Sequence, residues 1–142
     1  MYFWFFEARE DAENAPLSMW LQGGPGVPSA SAALNENGPC NVLKDSKTTQ
    51  LNPWSWNDKA NLLYIDQPVQ VGFSYDTLVN GTLDVVASPF AYKPSNFSTD
   101  VPETNLTFLT GTFASQSLSN APNTSMAAAP FIWNFMQTWM QE

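Results

Sequence analysis

The sequence LSMWLQGGPG, residues 17–26, runs an apolar stretch directly into a loop of three glycines and a proline. Leu17 to Leu21 has the short apolar character of a buried β-strand. Gly23 and Gly24 permit positive φ angles and allow backbone N–H groups to approach a ligand closely. The pattern predicts a strand that ends in a sharp loop, and both an ordinary turn and a ligand-binding loop are compatible with it.

The composition of the 142 residues fits one domain with a sizeable core, since 44% are hydrophobic and 14% aromatic. The formal net charge of −8 argues against nucleic-acid binding, because phosphate recognition requires clustered Lys and Arg. No apolar run approaches the roughly 20 residues that cross a bilayer, so no membrane partner is predicted. Residues 2–6 are too short for a signal peptide, and a chain that opens on a strand is expected to begin partway into a domain.

The sequence contains no histidine and one cysteine, Cys40. Without histidine, these residues lack the usual general base for a serine nucleophile and the commonest metal ligand, so they cannot form a Ser-His-Asp triad. No metal and no cofactor are predicted. Cys40 cannot form an internal disulfide, and it is either a small buried hydrophobic residue or one half of a bridge to a cysteine outside these residues.

Three β-strands are predicted in the first half of the chain. The aromatic run at residues 2–6 predicts a strand. The charged, turn-rich residues 7–16 predict that this strand returns as a hairpin-like neighbour of residues 17–21. Residues 61–66 predict a second buried strand, which Pro68 stops.

Shorter elements occupy the segment between these strands. Residues 28–37 predict a short helix that ends at Gly38, which we expect in the left-handed conformation that glycine favours. Residues 44–49 predict a polar loop. Residues 51–58 predict a turn whose tryptophan rings pack on the edge of the sheet.

Residues 77–125 are rich in Ser, Thr, Asn and Pro and show little periodicity, so they predict a long irregular insertion. The segment contains four N-x-Ser/Thr triplets, which are acceptor sites for N-glycosylation in secreted proteins. Four triplets in one exposed segment favour the secretory pathway. The acceptor residues are Asn80, Asn96, Asn105 and Asn123.

Residues 126–142 return to helical spacing, with Phe131, Phe135 and Trp139 on one face. Pro130 is expected in the first turn of this helix. We predict that the aromatic face packs against a sheet. Strand, glycine loop, strand and helix together favour a three-layer α/β domain.

Four motifs give the chain a resemblance to the serine carboxypeptidase family, because they occur in the order and approximate spacing of that family. The likeness is closest to the fungal branch, runs nearly continuously over residues 2–75, resumes weakly at 126–142 and leaves out the insertion. It implies an α/β-hydrolase fold, of which the chain supplies the N-terminal strands of the central sheet plus flanking helices. The motifs are WLxGGPG at 20–26, ENGP at 36–39, LNPxSWN at 51–57 and YIDQPxxxGFSY at 64–75.

The resemblance also implies roles for individual residues. Gly24 matches the residue whose N–H forms part of the oxyanion hole. Gln22 and Gly23 match the residues that bind the C-terminal carboxylate of the substrate. Glu36 matches a glutamate beneath the same site that shares hydrogen bonds with another buried carboxyl, and Trp20 would form a wall of the pocket.

The activity implied by the resemblance is that of a serine-type carboxypeptidase, which releases C-terminal residues from peptides through an acyl-enzyme. The implied partner is a peptide C-terminus, and the implied location is outside the cell or in the vacuole. The family's serine elbow, aspartate and histidine lie beyond the helix that matches residues 126–142, so we expect these residues alone to be inactive. A non-catalytic remnant that binds peptide and an acyltransferase of the same fold are the alternatives.

The chain departs from the family pattern at three places. Gln22 replaces the usual asparagine, residues 27–29 are Val-Pro-Ser where the family has Cys-Ser-Ser or Ser-Ser-Ser, and Gln70 replaces a common glycine. The sequence GFSY at residues 72–75 is not a nucleophile elbow, because aspartate stands at the place of the second glycine. It matches a non-catalytic loop of the family.

Overall fold

The computed structural model describes residues 1–24, 26–87, 91–97 and 100–141. The strands within these residues are β1 (Phe3–Phe6), β2 (Leu17–Trp20), β3 (Cys40–Val42), β4 (Thr49–Leu51), β5 (Asn61–Ile65), β6 (Leu78–Asp84), β7 (Ala91–Pro94) and β8 (Phe108–Ala114). The α-helices are α1 (Ser29–Asn35) and α2 (Ser125–Trp139), and a turn of 3-10 helix spans Trp56–Asp58. None of the described helices is long and apolar enough to cross a membrane.

The central sheet has the strand order β1-β5-β2. Strand β5 pairs antiparallel with β1 and parallel with β2. The predicted hairpin-like pairing of β1 with β2 is therefore wrong. Strand β5 takes the central position because its residues from Leu62 to Ile65 are apolar and fully buried on both faces, as predicted for the second strand.

Strand β2 lies at an edge of this sheet and is less buried than predicted. Leu17 and Met19 are exposed, while Ser18 and Trp20 on the opposite face are half-buried. The alternation follows from the period-two geometry of a strand. The sequence pattern of a short apolar run does not distinguish an edge strand from a central one.

The two faces of the sheet are covered by different helices, which confirms the predicted α/β layers. On one face, Leu62 and Tyr64 pack with Ala32 and Ala33 of helix α1. On the other face, the rings of Phe3 and Phe135 lie 5.4 Å apart, and those of Phe5 and Trp139 lie 5.5 Å apart. Phe135 and Trp139 of α2 therefore pack on the sheet as expected, whereas Phe131, the third residue of the predicted aromatic face, is 45% exposed.

Helix α1 is shorter than the predicted span of residues 28–37, and Gly38 has a different role from the predicted one. Gly38 does not have a positive φ angle. A Cβ atom at this position would lie 1.9 Å from the carbonyl oxygen of Ala33. Glycine is required here because the backbone approaches the helix closely.

Helix α2 begins after Thr124, whose Oγ1 accepts a hydrogen bond of 3.1 Å from the N–H of Ala127. Pro130 lies in the second turn rather than the first, so that part of the prediction is wrong. Proline has no N–H to donate to the carbonyl of Met126, four residues earlier. Met126 is highly exposed, so water can satisfy this carbonyl.

The prediction of an irregular insertion at residues 77–125 is wrong, because the segment contains a three-stranded antiparallel sheet with the order β7-β6-β8. Gly81 has a packing role within strand β6. Gly81 lies opposite Gly111, and a Cβ atom at Gly81 would lie 2.7 Å from the ring of Tyr92. The missing side chain leaves room for the aromatic ring.

The polar loop predicted at residues 44–49 joins the short antiparallel strands β3 and β4. The tryptophans that follow differ in their packing. Trp56 lies edge-on against Trp20 of the edge strand β2, with ring centroids 5.2 Å apart, as predicted. Trp54 does not pack on the sheet and is 86% exposed. Cys40 is a half-buried free thiol.

Candidate functional site

Two loops of the candidate site leave the same edge of the central sheet, because β2 and β5 are parallel and their carboxyl ends lie side by side. The glycine loop follows β2, and residues 66–75 follow β5. Asp66, which is 1% exposed, connects the two: its Oδ1 accepts from the N–H of Ala30 and its Oδ2 from the N–H of Phe73, both at 3.0 Å. One buried carboxylate therefore ties the loop at residues 66–75 to helix α1, which follows the glycine loop.

Gly72 allows the second loop to pass over this carboxylate. Its φ angle is +57°, and an added Cβ atom would lie 2.2 Å from Oδ2 of Asp66. The same atom would lie 2.9 Å from Cβ of Pro28. The second loop therefore packs against the segment that follows the glycine loop.

Ser29 holds the start of the glycine loop against the sheet. Its fully buried hydroxyl donates to the carbonyl of Ile65 at 2.6 Å and accepts from the N–H of Gln22 at 3.0 Å. Of the residues at the departure Val27-Pro28-Ser29, the serine therefore still performs an anchoring role.

The fold brings together three of the residues identified from the sequence, Trp20, Gln22 and Glu36. The indole N–H of Trp20 donates to Oε1 of Gln22 at 2.7 Å, and Nε2 of Gln22 donates to Oε2 of Glu36 at 3.4 Å. Glu36 is exposed, contrary to the expectation of a glutamate beneath the site beside another buried carboxyl. Since an amide nitrogen has two N–H groups, Gln22 retains a second donor for a ligand.

Gly23 and Gly24 form an open surface beside this chain of hydrogen bonds. Both are exposed, and a Cβ atom at Gly23 would meet no atom within 4 Å. Gly24 has a φ angle of +149°, which favours glycine. Among the described residues, neither N–H group donates a hydrogen bond to the protein. Pro25 of the same motif lies outside the described residues.

Tyr64 and Asn37 support the site from below, and the sequence analysis did not identify either as part of it. The hydroxyl of Tyr64 donates to Oδ1 of Asn37 at 3.0 Å. Burial, followed by the nearby charge of Glu36, raises the pKa of Tyr64 to about 12. Nδ2 of Asn37 is buried without a partner among the described residues. Both residues lie in family motifs quoted in the sequence analysis, and this was the signal that could have identified them.

The motif at residues 51–57 forms a polar platform under the segment that carries Glu36. Nδ2 of Asn52 donates to the carbonyl of Gly38 at 3.0 Å and to that of Glu36 at 3.3 Å. The backbone N–H of Trp56 donates to the carbonyl of Asn37 at 3.1 Å. These contacts satisfy the backbone where helix α1 ends and fix the position of Glu36.

Gln70 joins the second loop to the sheet of strands β6, β7 and β8. Its φ angle is +77°, in the region that glycine favours. Its Nε2 donates to the carbonyl of Ser117 at 2.9 Å. Nearby, hydrogen bonds from Ser115 and Asn120 hold the pKa of Asp76 well below its usual range. The side chains of Gln70 and Asp76 therefore connect the segment that follows β8 to the loop that follows β5.

Within the described ranges, no group of three or more His, Cys, Asp and Glu side chains is arranged to hold a metal ion. The polar atoms of the site are amide, carboxylate, hydroxyl, indole and backbone groups. Such groups can bind and orient a polar ligand through hydrogen bonds.

The family of the chain follows from its match over residues 1–142 to the family model described as serine carboxypeptidase. The chain belongs to the serine carboxypeptidase family, and its layers are part of an α/β-hydrolase fold. The match includes residues 77–125, so the earlier interpretation of this segment as lying outside the resemblance is also corrected.

Similar proteins are fungal carboxypeptidases. Carboxypeptidase S1 homolog B of Arthroderma otae is 51% identical over 142 residues, a match that covers 99% of this chain and 21% of the relative. The Carboxypeptidase Y homolog of Arthroderma benhamiae is 44% identical over 142 residues, covering 100% of this chain and 22% of the relative. The chain thus spans about a fifth of the length of these relatives.

Among solved structures, Kex1(Δ)p, a prohormone-processing carboxypeptidase from Saccharomyces cerevisiae, is similar to this chain. The match has 46% sequence identity and a TM-score of 0.46. It covers 51% of this chain and 15% of that chain.

Proposed function

We propose that these residues form the part of a serine carboxypeptidase that binds the C-terminal carboxylate of a peptide and supplies one oxyanion-hole N–H. The observation that carries the proposal is the hydrogen-bonded chain of Trp20, Gln22 and Glu36 beside the open glycines of the loop. Family membership supports the assignment to peptide hydrolysis.

The proposed roles follow from the donors that the site offers. The second N–H of Gln22 and the backbone N–H of Gly23 bind the carboxylate, through charge-assisted hydrogen bonds that are stronger than neutral ones. The N–H of Gly24 stabilises the negative charge that develops on the carbonyl oxygen during acyl transfer. Trp20 and Glu36 orient Gln22.

The acyl-transfer chemistry requires a serine nucleophile activated by a histidine, and the 142 residues contain no histidine. We therefore expect the chain alone to hydrolyse no peptide and to resist labelling by a fluorophosphonate. Stoichiometric labelling that one Ser→Ala substitution abolishes would contradict this expectation.

The binding part of the proposal is tested directly on the chain. We expect N-acetyl-glycyl-phenylalanine, which has a free carboxylate, to bind more tightly than its C-terminal amide in an NMR titration. Gln22→Ala should remove most of this difference, because it removes the side-chain donor. Asn35→Ala, an exposed change near Glu36, is the matched control and should preserve the difference. Equal affinity of the acid and the amide for the unchanged chain would refute carboxylate recognition.

A second test uses an active carboxypeptidase that carries this loop. Gln22 places its amide about one C–C bond further out than asparagine, and a misplacement of about 1 Å can cost ~10²-fold in rate. We expect Gln22→Asn to raise kcat/KM on free-carboxylate peptides about tenfold or more. Hydrolysis of amidated peptides or esters should change far less, and a parallel change would show that Gln22 acts on the loop's shape.

We also infer that the protein enters the secretory pathway and is secreted or vacuolar. The four acceptor asparagines support this inference, since all four are exposed in the structure. Asn105 lies in an exposed turn, where its Oδ1 accepts from the N–H of Thr107 at 2.9 Å. Ser98, which completes the triplet of Asn96, lies outside the described residues.

A further inference from the structure

Strands β6, β7 and β8 form a β-arm that packs as a unit of its own. Tyr92 of β7 and Phe113 of β8 meet edge-on from either side of β6, with ring centroids 5.7 Å apart. The ring of Tyr92 occupies the space that Gly81 leaves free. Among the described residues, no strand of the β-arm packs extensively on a strand or helix of the central layers. A shared core therefore does not fix the position of the β-arm.

The β-arm is fastened at its base, where the chain enters β6 and leaves β8. Asp76 lies two residues before β6, and Ser115 directly follows β8. Oδ1 of Asp76 accepts from the N–H of Ser115 at 3.2 Å, and Oδ2 accepts from the Ser115 hydroxyl at 2.5 Å. Nδ2 of Asn120 donates to the same Oδ2 at 2.8 Å. One carboxylate therefore joins the segment that enters the β-arm to the segment that leaves it.

Gln70 completes this base from the loop that follows β5. Its Nε2 donates to the carbonyl of Ser117 at 2.9 Å and to Oδ2 of Asp76 at 3.3 Å. In the part of the chain that the structure describes, every hydrogen bond between residues 77–120 and residues 1–76 involves Gln70 or Asp76. The attachment of the β-arm thus depends on two side chains.

A cleft of about 440 Å³ separates the β-arm from the loop at residues 72–75. Phe73 and Tyr75 lie on the loop side of the cleft, and Leu78 and Phe113 lie on the side of the β-arm. The two sides are joined at the base and not packed together above it. The β-arm therefore has room to approach or leave the loop by turning about its base, as in a hinge motion.

We propose that Asp76 is a latch that sets the angle of the β-arm against the loop at residues 72–75, so that the width of the cleft depends on one ionised carboxylate. The cleft provides the room for movement, and the hydrogen bonds of Asp76 provide the constraint. The loop borders the candidate site, so the relevance of this movement to a peptide rests on the proposed function. The latch itself does not depend on it.

The latch is built to remain closed in acidic solution. Hydrogen bonds, first from Ser115 and then from Asn120, hold the pKa of Asp76 below its ordinary value of 3.8. The groups that contact this carboxylate, including Gln70 and the backbone of Thr77, are uncharged, and no ion pair of the described residues involves it. Because the pKa is lower in the folded state, the contribution of Asp76 is complete above about pH 3.8 and is lost as the pH falls further.

Residual dipolar couplings of backbone amides measure the angle between the β-arm and the central sheet. In the unchanged chain, the couplings of β5, β6 and β8 should fit a single alignment tensor. Asp76→Asn keeps the size of the side chain and removes its charge. The couplings of β6 and β8 should then shrink at least about twofold relative to those of β5, because the β-arm samples a range of angles. The unchanged chain should keep its single alignment from about pH 7 to about pH 4.

Asp84→Asn is the matched control. It removes the same charge within β6, where Oδ1 of Asp84 accepts from the N–H groups of Val86 and Ala87, and it should preserve the single alignment. Ser115→Ala retains the carboxylate and removes one donor, so its loss should be smaller than that of Asp76→Asn. Slow amide hydrogen exchange in β6 and β8 shows whether the β-arm remains folded in each variant.

A single alignment in Asp76→Asn, or equal losses in Asp76→Asn and Asp84→Asn, would overturn the latch. Loss of exchange protection throughout β6 and β8 in both Asp76→Asn and Ser115→Ala would also overturn it, because the β-arm would then not be a unit that folds separately from its base. These measurements use no ligand, so failure of the latch leaves the proposed carboxylate recognition intact.

Discussion

The indole N–H of Trp20 and Oε1 of Gln22 lie 2.7 Å apart, and this hydrogen bond sets the orientation of the Gln22 amide. With its oxygen toward the indole, the amide turns its nitrogen toward Glu36. Trp20 therefore does more than line a pocket wall, because it determines the direction in which the amide N–H groups of Gln22 point.

We predict that Trp20→Phe removes this orientation and lowers the free energy of unfolding by about 1 kcal/mol, the net value of one hydrogen bond. The side-chain amide resonances of Gln22 in a ¹⁵N–¹H spectrum should move toward the values of a solvated amide. Trp56→Phe is the control, since it alters the same aromatic pair but retains the indole donor of Trp20. Unchanged Gln22 resonances in Trp20→Phe would contradict the prediction.

Tyr64→Phe should destabilise the fold by about 1–3 kcal/mol, because Oδ1 of Asn37 would be left buried without its donor. Asn37 already has one buried group without a partner among the described residues. Urea unfolding measures the change. Tyr75→Phe removes a hydroxyl from an exposed ring and should change stability by less than about 0.5 kcal/mol. Equal effects of the two substitutions would be inconsistent with a buried role for the Tyr64 hydroxyl.

The raised pKa of Tyr64 predicts a loss of stability at alkaline pH. Its folded-state pKa of about 12 lies above the ordinary value of 10.0, so the unfolded chain releases this proton first as the pH rises. The contribution is fully present below about pH 10 and is lost progressively toward pH 12. Urea midpoints measured across this interval should decline less steeply in Tyr64→Phe. Identical slopes in the two chains would exclude Tyr64 as the cause.

Much of the central sheet could be predicted from the sequence, because apolar runs and glycine loops are local signals. The buried strand at residues 61–65 and the aromatic packing of α2 on β1 are examples. The order of the strands is set by non-local pairing, which is why β5 between β1 and β2 was not anticipated. Strand β6 was missed because Asn80 and Gly81 interrupt its apolar pattern.

The site was predictable only in part for a similar reason. The family motifs identified Trp20, Gln22 and Glu36, which the fold brings together. The contact between Tyr64 and Asn37 joins residues 27 positions apart, and no periodicity indicates it. The contact of Gln70 with the carbonyl of Ser117 involves the segment that follows β8, which the sequence analysis had treated as irregular.

Position 70 should prefer glycine to alanine, because its φ angle is +77°. We expect Gln70→Gly to be about 1 kcal/mol more stable than Gln70→Ala, since a non-glycine residue is strained in this conformation. Thermal unfolding of the two variants provides the comparison. Neighbouring Val71 does not have a positive φ angle, so there the alanine variant should be the more stable of the two. The same ranking at both positions would argue against backbone strain at Gln70.

Secretion of the chain behind an added signal peptide should glycosylate some of the four acceptor asparagines. Asn105 is the strongest candidate, because it lies in an exposed turn, whereas Asn80 lies within strand β6 and accepts a hydrogen bond from Thr112. Gel mobility before and after glycosidase treatment measures the modification, and Asn105→Gln should remove one mobility step. Unchanged mobility of the secreted chain would remove the support for the secretory pathway.

The two oxygens of Asp66 accept from different segments, one from helix α1 behind the glycine loop and the other from the loop at residues 66–75, so the two sides of the site share a single point of attachment. Displacing either segment would shift the Asp66 carboxylate and strain its hydrogen bond to the other segment. The positions of the two segments are therefore thermodynamically coupled. A ligand that binds the glycine loop would then slow amide hydrogen exchange in residues 72–75 as well, although it touches none of them.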